Sequence, residues 1–498
     1  MKKLTLFSLL LLCLAGVSCK DDYLVTTDPT RIGADLFYQN QTQFEQAVNG
    51  VYGQLQTITN TAYLFTEFNT DNTTLDFNPL DRGGAAGWEA FEFSTVNPGN
   101  GEIANLWNQH YSTLYNINYA LEKLAPSTID ANAKKEIEGQ LKFLRGYHYF
   151  NLARYFGDVV LVTSTLKNPD QAFDLVRSPQ AAVYTQVEND LKEAAALLPA
   201  SRTKKVGWAN KGAALTLLGK LYLTKKQYAE AVSTLKQVVP LGYSLLPKYA
   251  DIFDPAKKNG PESIFEVQYQ GGNDLGEQSN FMYVFAPRLS QGAVTGFANT
   301  PPGGRNIPTN DIMAAFEPGD LRKDVSFQPG YTLNGTFVAI PFINKYRHPH
   351  TITGRTDNNW PVLRYADVLL MLAEAINEQA GPTAEAADFV NQVRKRAGLK
   401  ELGTLSKDAF REAVLKERRV ELAFENHRWF DLQRTKTPAE LAAFLNTYGA
   451  KEKANPTVGR GGIAFNALDY VYSDFEYFLP IPAPQILINS KLTQNAGY

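Results

Sequence analysis

The sequence predicts a mainly α-helical fold of repeat-like helix pairs, interrupted by long loop insertions and a few short strands. Three observations carry that expectation. Apolar residues recur at i, i+3, i+4 and i+7 along most of the chain. Two helix pairs approach the signature of a tetratricopeptide repeat. Between the periodic stretches lie long segments dominated by Asn, Asp, Thr, Gly and Pro.

In chain order, the first element is a targeting segment. Lys2 and Lys3 precede an apolar run from Leu4 to Leu14, then Gly16, Val17, Ser18 and Cys19. The run is too short to span a bilayer, and the pattern is that of a secretory signal peptide over 1–18. A cysteine directly behind the small residues has the form of a lipobox, which makes Cys19 the expected lipidation site and places the protein on a membrane outside the cytoplasm. The only other cysteine, Cys13, lies inside the signal, so the mature chain has no disulfide and no cysteine metal site.

The helices follow. Phe44, Ala47, Val48, Val51, Tyr52 and Leu55 form one stripe, and Ile103, Leu106, Trp107, His110, Tyr111, Leu114, Asn118 and Leu121 a second. Leu141, Leu144, His148, Leu152, Tyr155 and Phe156 form a third, and Val183, Val187, Leu191, Ala194 and Leu198 a fourth. The clearest pair runs from Ala214 to Tyr222 and from Tyr228 to Val239 around the turn Lys225–Gln227. Gly219, Tyr222 and Ala231 sit at small–aromatic–small spacing, so that the small residues allow close approach and the tyrosine fills the groove. A second pair spans Ala366–Glu378 and Ala384–Arg396. Segments 58–102, 254–345 and 435–475 read as insertions, with short strands expected at Ser263–Val267 and Phe337–Ile340.

Composition narrows the function. A net charge of −2 without a long basic block does not suit a nucleic-acid binder. Tyr and Phe are abundant, at 25 and 29 residues, mostly as core. No G-x-S-x-G or H-E-x-x-H motif is present. Acids at 67, 71, 76, 81, 89, 92 and 102 could include a catalytic pair, but loop acids more often serve turns and solubility. His348-Pro349-His350 resembles a ligand pair, yet no further metal-type cluster accompanies it. His148 and His427 lie on apolar faces as core histidines. Around Glu417-Arg418-Arg419, Val420, Ala423, Phe424 and His427 form a core face, and the charges read as helix-surface pairs worth a few tenths of a kcal/mol each.

Four ordered blocks carry a family resemblance. They are LKFLRGYHYFNLARYFGDVVLV near 145; Arg364-Tyr365-Ala366-Asp367 through Arg396-Ala397-Gly398-Leu399; Glu417-Arg418-Arg419-Val420-Glu421 through Arg428-Trp429-Phe430-Asp431-Leu432; and Leu479-Pro480-Ile481-Pro482 through Gln494-Asn495-Ala496-Gly497-Tyr498. With them the chain resembles the SusD/RagB family of outer-membrane nutrient-binding lipoproteins. The resemblance implies a SusD-like fold with a signal over 1–18, an N-terminal region over 19–253 and a C-terminal region over 254–498, packed as one composite domain. It implies a non-enzymatic protein without cofactor that captures an oligosaccharide or polysaccharide for a SusC-like TonB-dependent transporter at the outer membrane, lipid-anchored and facing outwards. Lys20-Asp21-Asp22 resembles the export signal of Bacteroidota surface lipoproteins. The family also includes peptide-capturing members, and a surface glycoside hydrolase and a protein-only adaptor stay open as readings.

Sugar recognition needs an aromatic face for the C–H side of a pyranose and planar polar groups for its hydroxyls. The loop Glu67–Asn100 supplies both types, in Asp71, Asn72, Asp76, Asn78, Arg82 and Trp88. A second candidate segment, Tyr269–Phe297, adds Tyr283 beside Phe285 and Arg288. The competing reading for Trp88 is that it folds inward and pins its own loop. Trp107 and Trp429 read as core, Trp208 as packing and Trp360 as structural.

Overall fold

The computed structural model describes residues 37–80, 86–200, 205–272 and 275–498. Cys19, Asp81 and Arg82 therefore lie outside the described residues. The fold is mainly α-helical, as the periodicity predicts. Its longer helices are α1 (Gln41–Thr66), α2 (Ala86–Phe93), α3 (Gly101–Leu124), α4 (Ala131–Phe156), α5 (Gln180–Leu197), α6 (Lys211–Thr224) and α7 (Tyr228–Leu235). After the five-residue α8 (Phe281–Phe285) come α9 (Tyr365–Ala380), α10 (Ala384–Arg396), α11 (Lys407–Glu421), α12 (Arg428–Thr435), α13 (Pro438–Ala454) and α14 (Ala483–Ile488).

Side-chain caps start many of these helices by satisfying N–H groups that have no intrahelical acceptor. Asn40 accepts from the Gln43 N–H, Asp130 from those of Asn132 and Ala133, and Asn210 from Ala213. The helices stack in chain order: α5 packs on α4, α6 on α5, α7 on α6, and α9 on both α7 and α10. The expected pairs are therefore α6–α7 and α9–α10. Gly219 shows why the first pair needs a small residue. A Cβ there would stand 2.4 Å from Leu235 Cδ2 of the facing helix.

One continuous apolar core runs through the helices, from Phe44 to Leu492. Strands are short. Strand β2 (Ser263–Val267) pairs antiparallel with β6 (Trp360–Arg364), and β1 (Thr73–Thr74) with β3 (Ile307–Pro308). Strands β4 (Tyr331–Leu333) and β5 (Thr336–Val338) form a hairpin that takes in part of the expected Phe337–Ile340 strand.

The insertions hold more helix than their composition predicts. Residues 58–66 continue α1 and bury Ile58, Ala62, Tyr63, Leu64 and Phe65. Segment 435–475 contains α13, started by a capping box in which Thr437 and Glu440 bond each other's backbone N–H groups, with Pro438 in the first turn.

Helix α11 also departs from the reading of its charges as surface pairs. The helix stops at Glu421, and Phe424 and Asn426 turn the chain with φ of +64° and +65° before α12. Val420, Ala423 and Phe424 remain buried, while His427 becomes the cap position of α12. Glu417, Arg418 and Glu421 are buried as well. Arg364 Nε donates to Glu425 at 2.7 Å, and its Nη1 to Glu262 and Glu421 at 2.8 and 2.9 Å. Glu421 also receives Arg322 at 3.0 Å and Arg396 at 2.5 Å. Burial works against ionisation of Glu421, but Arg396, Arg364 and Arg322 outweigh it and hold its carboxyl well below the usual range.

Candidate functional site

The C-terminal end of α1 delivers the chain into the loop singled out in the sequence. Four of its polar residues are spent on holding it in place. Asp71 receives Arg428 through two bonds of 2.8 Å and lies 2.9 Å from Arg419. Burial opposes its charge, but these guanidinium groups prevail and bring the Asp71 carboxyl down to about 2. Asn72 Oδ1 accepts from Arg419 Nε at 2.9 Å, and its Nδ2 donates to Glu67. Glu67 also accepts from the Asn426 N–H, and burial pushes its carboxyl up to about 8. Asp76 Oδ2 accepts from the Arg288 N–H at 2.8 Å, while the Asp76 N–H donates to Gly304 O.

Sequence reasoning gave Asp71, Asn72 and Asp76 to a ligand; the structure buries all three and gives them to the protein. The physical reason is that a loop running between helices must satisfy its own buried backbone and charges. Glu92 is likewise buried, with its carboxyl bonded to the Tyr470 hydroxyl. Asn78 is half-buried, and its Oδ1 accepts from the Leu80 N–H.

The same bonds bring the two candidate segments together. Strand β1 lies on β3, and the turn ahead of β3 latches onto α8. Gly303 N donates to Tyr283 O, Gly304 N to Ala286 O and Arg305 N to Val284 O, at 2.8 to 3.0 Å. Gly304 is required here, because its φ is +65° and a Cβ would stand 3.0 Å from the Asp76 Cβ. Arg305 then lies 4.6 Å over the Trp88 ring and donates to the Tyr63 hydroxyl. Trp88 is half-buried and rests on Phe68 with ring centroids 6.2 Å apart. It thus packs inward in part, as the competing reading foresaw, while keeping some exposed surface.

On α8 the apolar side chains Phe281 and Phe285 point into the core, and Tyr283 is buried too. The Tyr283 hydroxyl bonds His350 Nε2 at 2.5 Å, so Tyr283 supports the site from behind and does not offer its ring. Beside it opens a basin of about 540 Å³. Phe297, His348 and His350 are half-buried on its wall, with Arg347 exposed at its edge. The Phe297 and His350 rings lie 4.9 Å apart, and Arg347 Nε donates to Val294 O at 3.0 Å.

The sequence does not single out Arg305, Arg347, Phe297 or His350 as sugar contacts, although His348-Pro349-His350 resembles a ligand pair and Phe297 closes the second candidate segment. Among the described residues no group of three or more His, Cys, Asp or Glu could hold a metal ion. The basin offers the Phe297 ring, two imidazoles and the Arg347 guanidinium, while Trp88 and Arg305 lie outside its lining.

Comparison with known proteins follows the same outline. The SusD family model matches residues 330–498, and a model described as starch-binding, associating with outer membrane, matches 27–223. SusD-like protein P2 of Formosa agariphila is 26% identical over 532 residues, covering 99% of both chains. SusD-like protein P25 of the same organism is 27% identical over 474 residues, covering 84% of this chain and 87% of its own. Among solved structures, a laminarin-binding SusD-like protein superposes with a TM-score of 0.76 at 27% identity, over 93% of this chain and all of its own. A SusD superfamily protein from Parabacteroides distasonis gives 0.77 at 27% identity, over 94% of this chain and all of its own.

Proposed function

Because the chain belongs to the SusD/RagB family, we propose that it captures an oligosaccharide or polysaccharide at the cell surface and passes it to a TonB-dependent outer-membrane transporter. It does so without catalysis or cofactor, held to the membrane by a lipid on Cys19. The glycan class is supported by the family model's starch-binding description and by a relative that binds laminarin. The outer-membrane location is supported by the same description and by the signal and Cys19 in the sequence.

The observation that carries the reading is the surface gathered on α8. Half-buried Phe297 and His350 stand with exposed Arg347 around an open basin of about 540 Å³, and half-buried Trp88 lies under Arg305 of the turn that bonds α8. Flat apolar faces cover the C–H side of a sugar ring, and guanidinium and imidazole groups hydrogen-bond its hydroxyls. Asn78 and Arg82 are kept from the sequence as further candidate contacts. Capture shifts an open–closed equilibrium over the transporter only by the ligand's differential affinity for the two states.

The test is a native-gel screen of the chain lacking residues 1–21 against laminarin, starch and other soluble polysaccharides, beside Trp88→Ala and Phe297→Ala. Retardation of the wild type by at least one polysaccharide, weakened in either variant, is the expected result. No retardation by any polysaccharide, together with binding to a peptide library, moves the function to peptide capture.

A further inference from the structure

A second cleft opens beside the N-terminal half of α1. Tyr52 lies there, eleven positions before Tyr63, whose hydroxyl accepts from Arg305. That separation corresponds to about 16 Å along the helix. The cleft encloses about 550 Å³ between α1, the segment entering α6 and strand β2 with its continuation.

Two half-buried rings form part of its wall. Tyr52 and Trp208 lie 29° from parallel with centroids 6.4 Å apart. Both are fixed by their polar ends. The Trp208 indole N–H donates to Asn49 Oδ1 at 2.7 Å, and the Tyr52 hydroxyl accepts from the Ala209 N–H at 3.0 Å while donating to Gln140. Trp208 packs, as its sequence position suggests, but on the wall of a cleft and not within the core.

The remaining wall is an ordered set of amides. Asn259 and Gln268 exchange reciprocal bonds of 2.9 and 3.0 Å, and Gln56 Nε2 donates to the Gln268 carbonyl at 2.7 Å. Asn359 braces the set by donating to Gln268 Oε1 and Glu266 Oε2. Lys258, Glu266 and Glu277 put both signs of charge at the cleft. Lys205 Nζ lies 4.1 Å over the Trp208 ring, and the remaining aromatic surface next to amides that both donate and accept suits a neutral, hydroxyl-rich ring.

We propose that the Tyr52–Trp208 cleft is a second saccharide-binding site, taking pyranose units of a neutral glycan chain. The proposal rests on the glycan-capture reading above and extends it. A polymer long enough to follow α1 engages both sites, and its second contact becomes intramolecular, which raises the affinity for long chains over short ones.

Gly53 provides a test that spares the fold. It is exposed on α1 at the cleft, and a Cβ there meets nothing within 4 Å. Gly53→Gln therefore fills the cleft while replacing a poor helix former with a good one. The chain lacking residues 1–21 is run through gels containing laminarin or soluble starch as wild type, Gly53→Gln, Trp208→Ala and Phe297→Ala. The expected result is that Gly53→Gln melts at or above the wild-type temperature yet binds the retarding polysaccharide about fivefold more weakly, with Trp208→Ala in the same direction. If Gly53→Gln is retarded like the wild type while Phe297→Ala is not, the second site is overturned and glycan capture stands. If no polysaccharide retards the wild type, both fall. Gly53→Gln decides alone should Trp208→Ala fail to fold.

Discussion

At the scale of single residues, the charged side chains around α11 hold the candidate site in place. Arg322, Arg364, Arg394, Arg396 and Lys345 face Asp320, Glu262, Glu417, Glu421 and Glu425 in one cluster. Removing one partner from such a cluster leaves a buried charge uncompensated, a loss of about 3–5 kcal/mol. Outside that cluster, Asp71 of the candidate loop is held by Arg419 of α11 and by Arg428. Its folded pKa of about 2 lies below the ordinary 3.8, so its stabilisation is present above pH 4 and fades as pH falls towards 2. Asp71→Asn is therefore expected to cost about 2 kcal/mol or more at pH 7 and much less near pH 2.5, measured by denaturant unfolding across that range. The sequence showed the residue types but not their burial. Glu417, Arg418 and Arg419 look like a solvated helix face until partners as distant as Asp71 and Asp367 are placed against them.

At the scale of elements, periodicity predicts α6–α7 and α9–α10 because their faces alternate between core and solvent. It predicts less of α4, whose C-terminal half is buried on nearly every side. Local signals were present for the missed helix α13. Thr437-Pro438-Ala439-Glu440 has the spacing of a capping box with proline in the first turn. Thr437→Ala is expected to lower stability by about 1 kcal/mol, read as a drop in melting temperature without loss of the folded baseline. The break between α11 and α12 had no comparable signal, since positive φ at Phe424 is a tertiary constraint. Gly219→Ala tests the close approach in the first pair. Helix propensity favours alanine by about 1 kcal/mol, yet the clash with fully buried Leu235 is expected to give a net loss of about 1–2 kcal/mol. Its combination with Leu235→Ala is expected to cost less than the sum of the two.

At the scale of the whole molecule, the candidate site is where distant segments meet. The turn at 303–305 and the 347–350 segment both bond α8, Asp76 bonds Arg288 just beyond it, and Trp88 lies under Arg305; none of that convergence is visible in spacing along the chain. The two candidate stretches were legible from their aromatic and polar content, and hydrogen bonds join them in the structure. Which side chains stay open was not, because Asp71, Asn72, Asp76 and Tyr283 are needed to build the scaffold while Phe297, Arg347 and His350 line the basin. At this scale the anchor is tested by Cys19→Ala in the full chain, which is expected to abolish palmitate labelling and to release the protein from the membrane fraction. Glycan capture on α8 is tested most directly by calorimetric titration of the chain lacking residues 1–21 with an oligosaccharide cut from whichever polysaccharide retards it. Wild type is expected to bind one chain with measurable heat, and the Trp88→Ala, Phe297→Ala double variant about tenfold or more weakly at an unchanged melting temperature. Equal affinity in the folded double variant would contradict the assignment of the site.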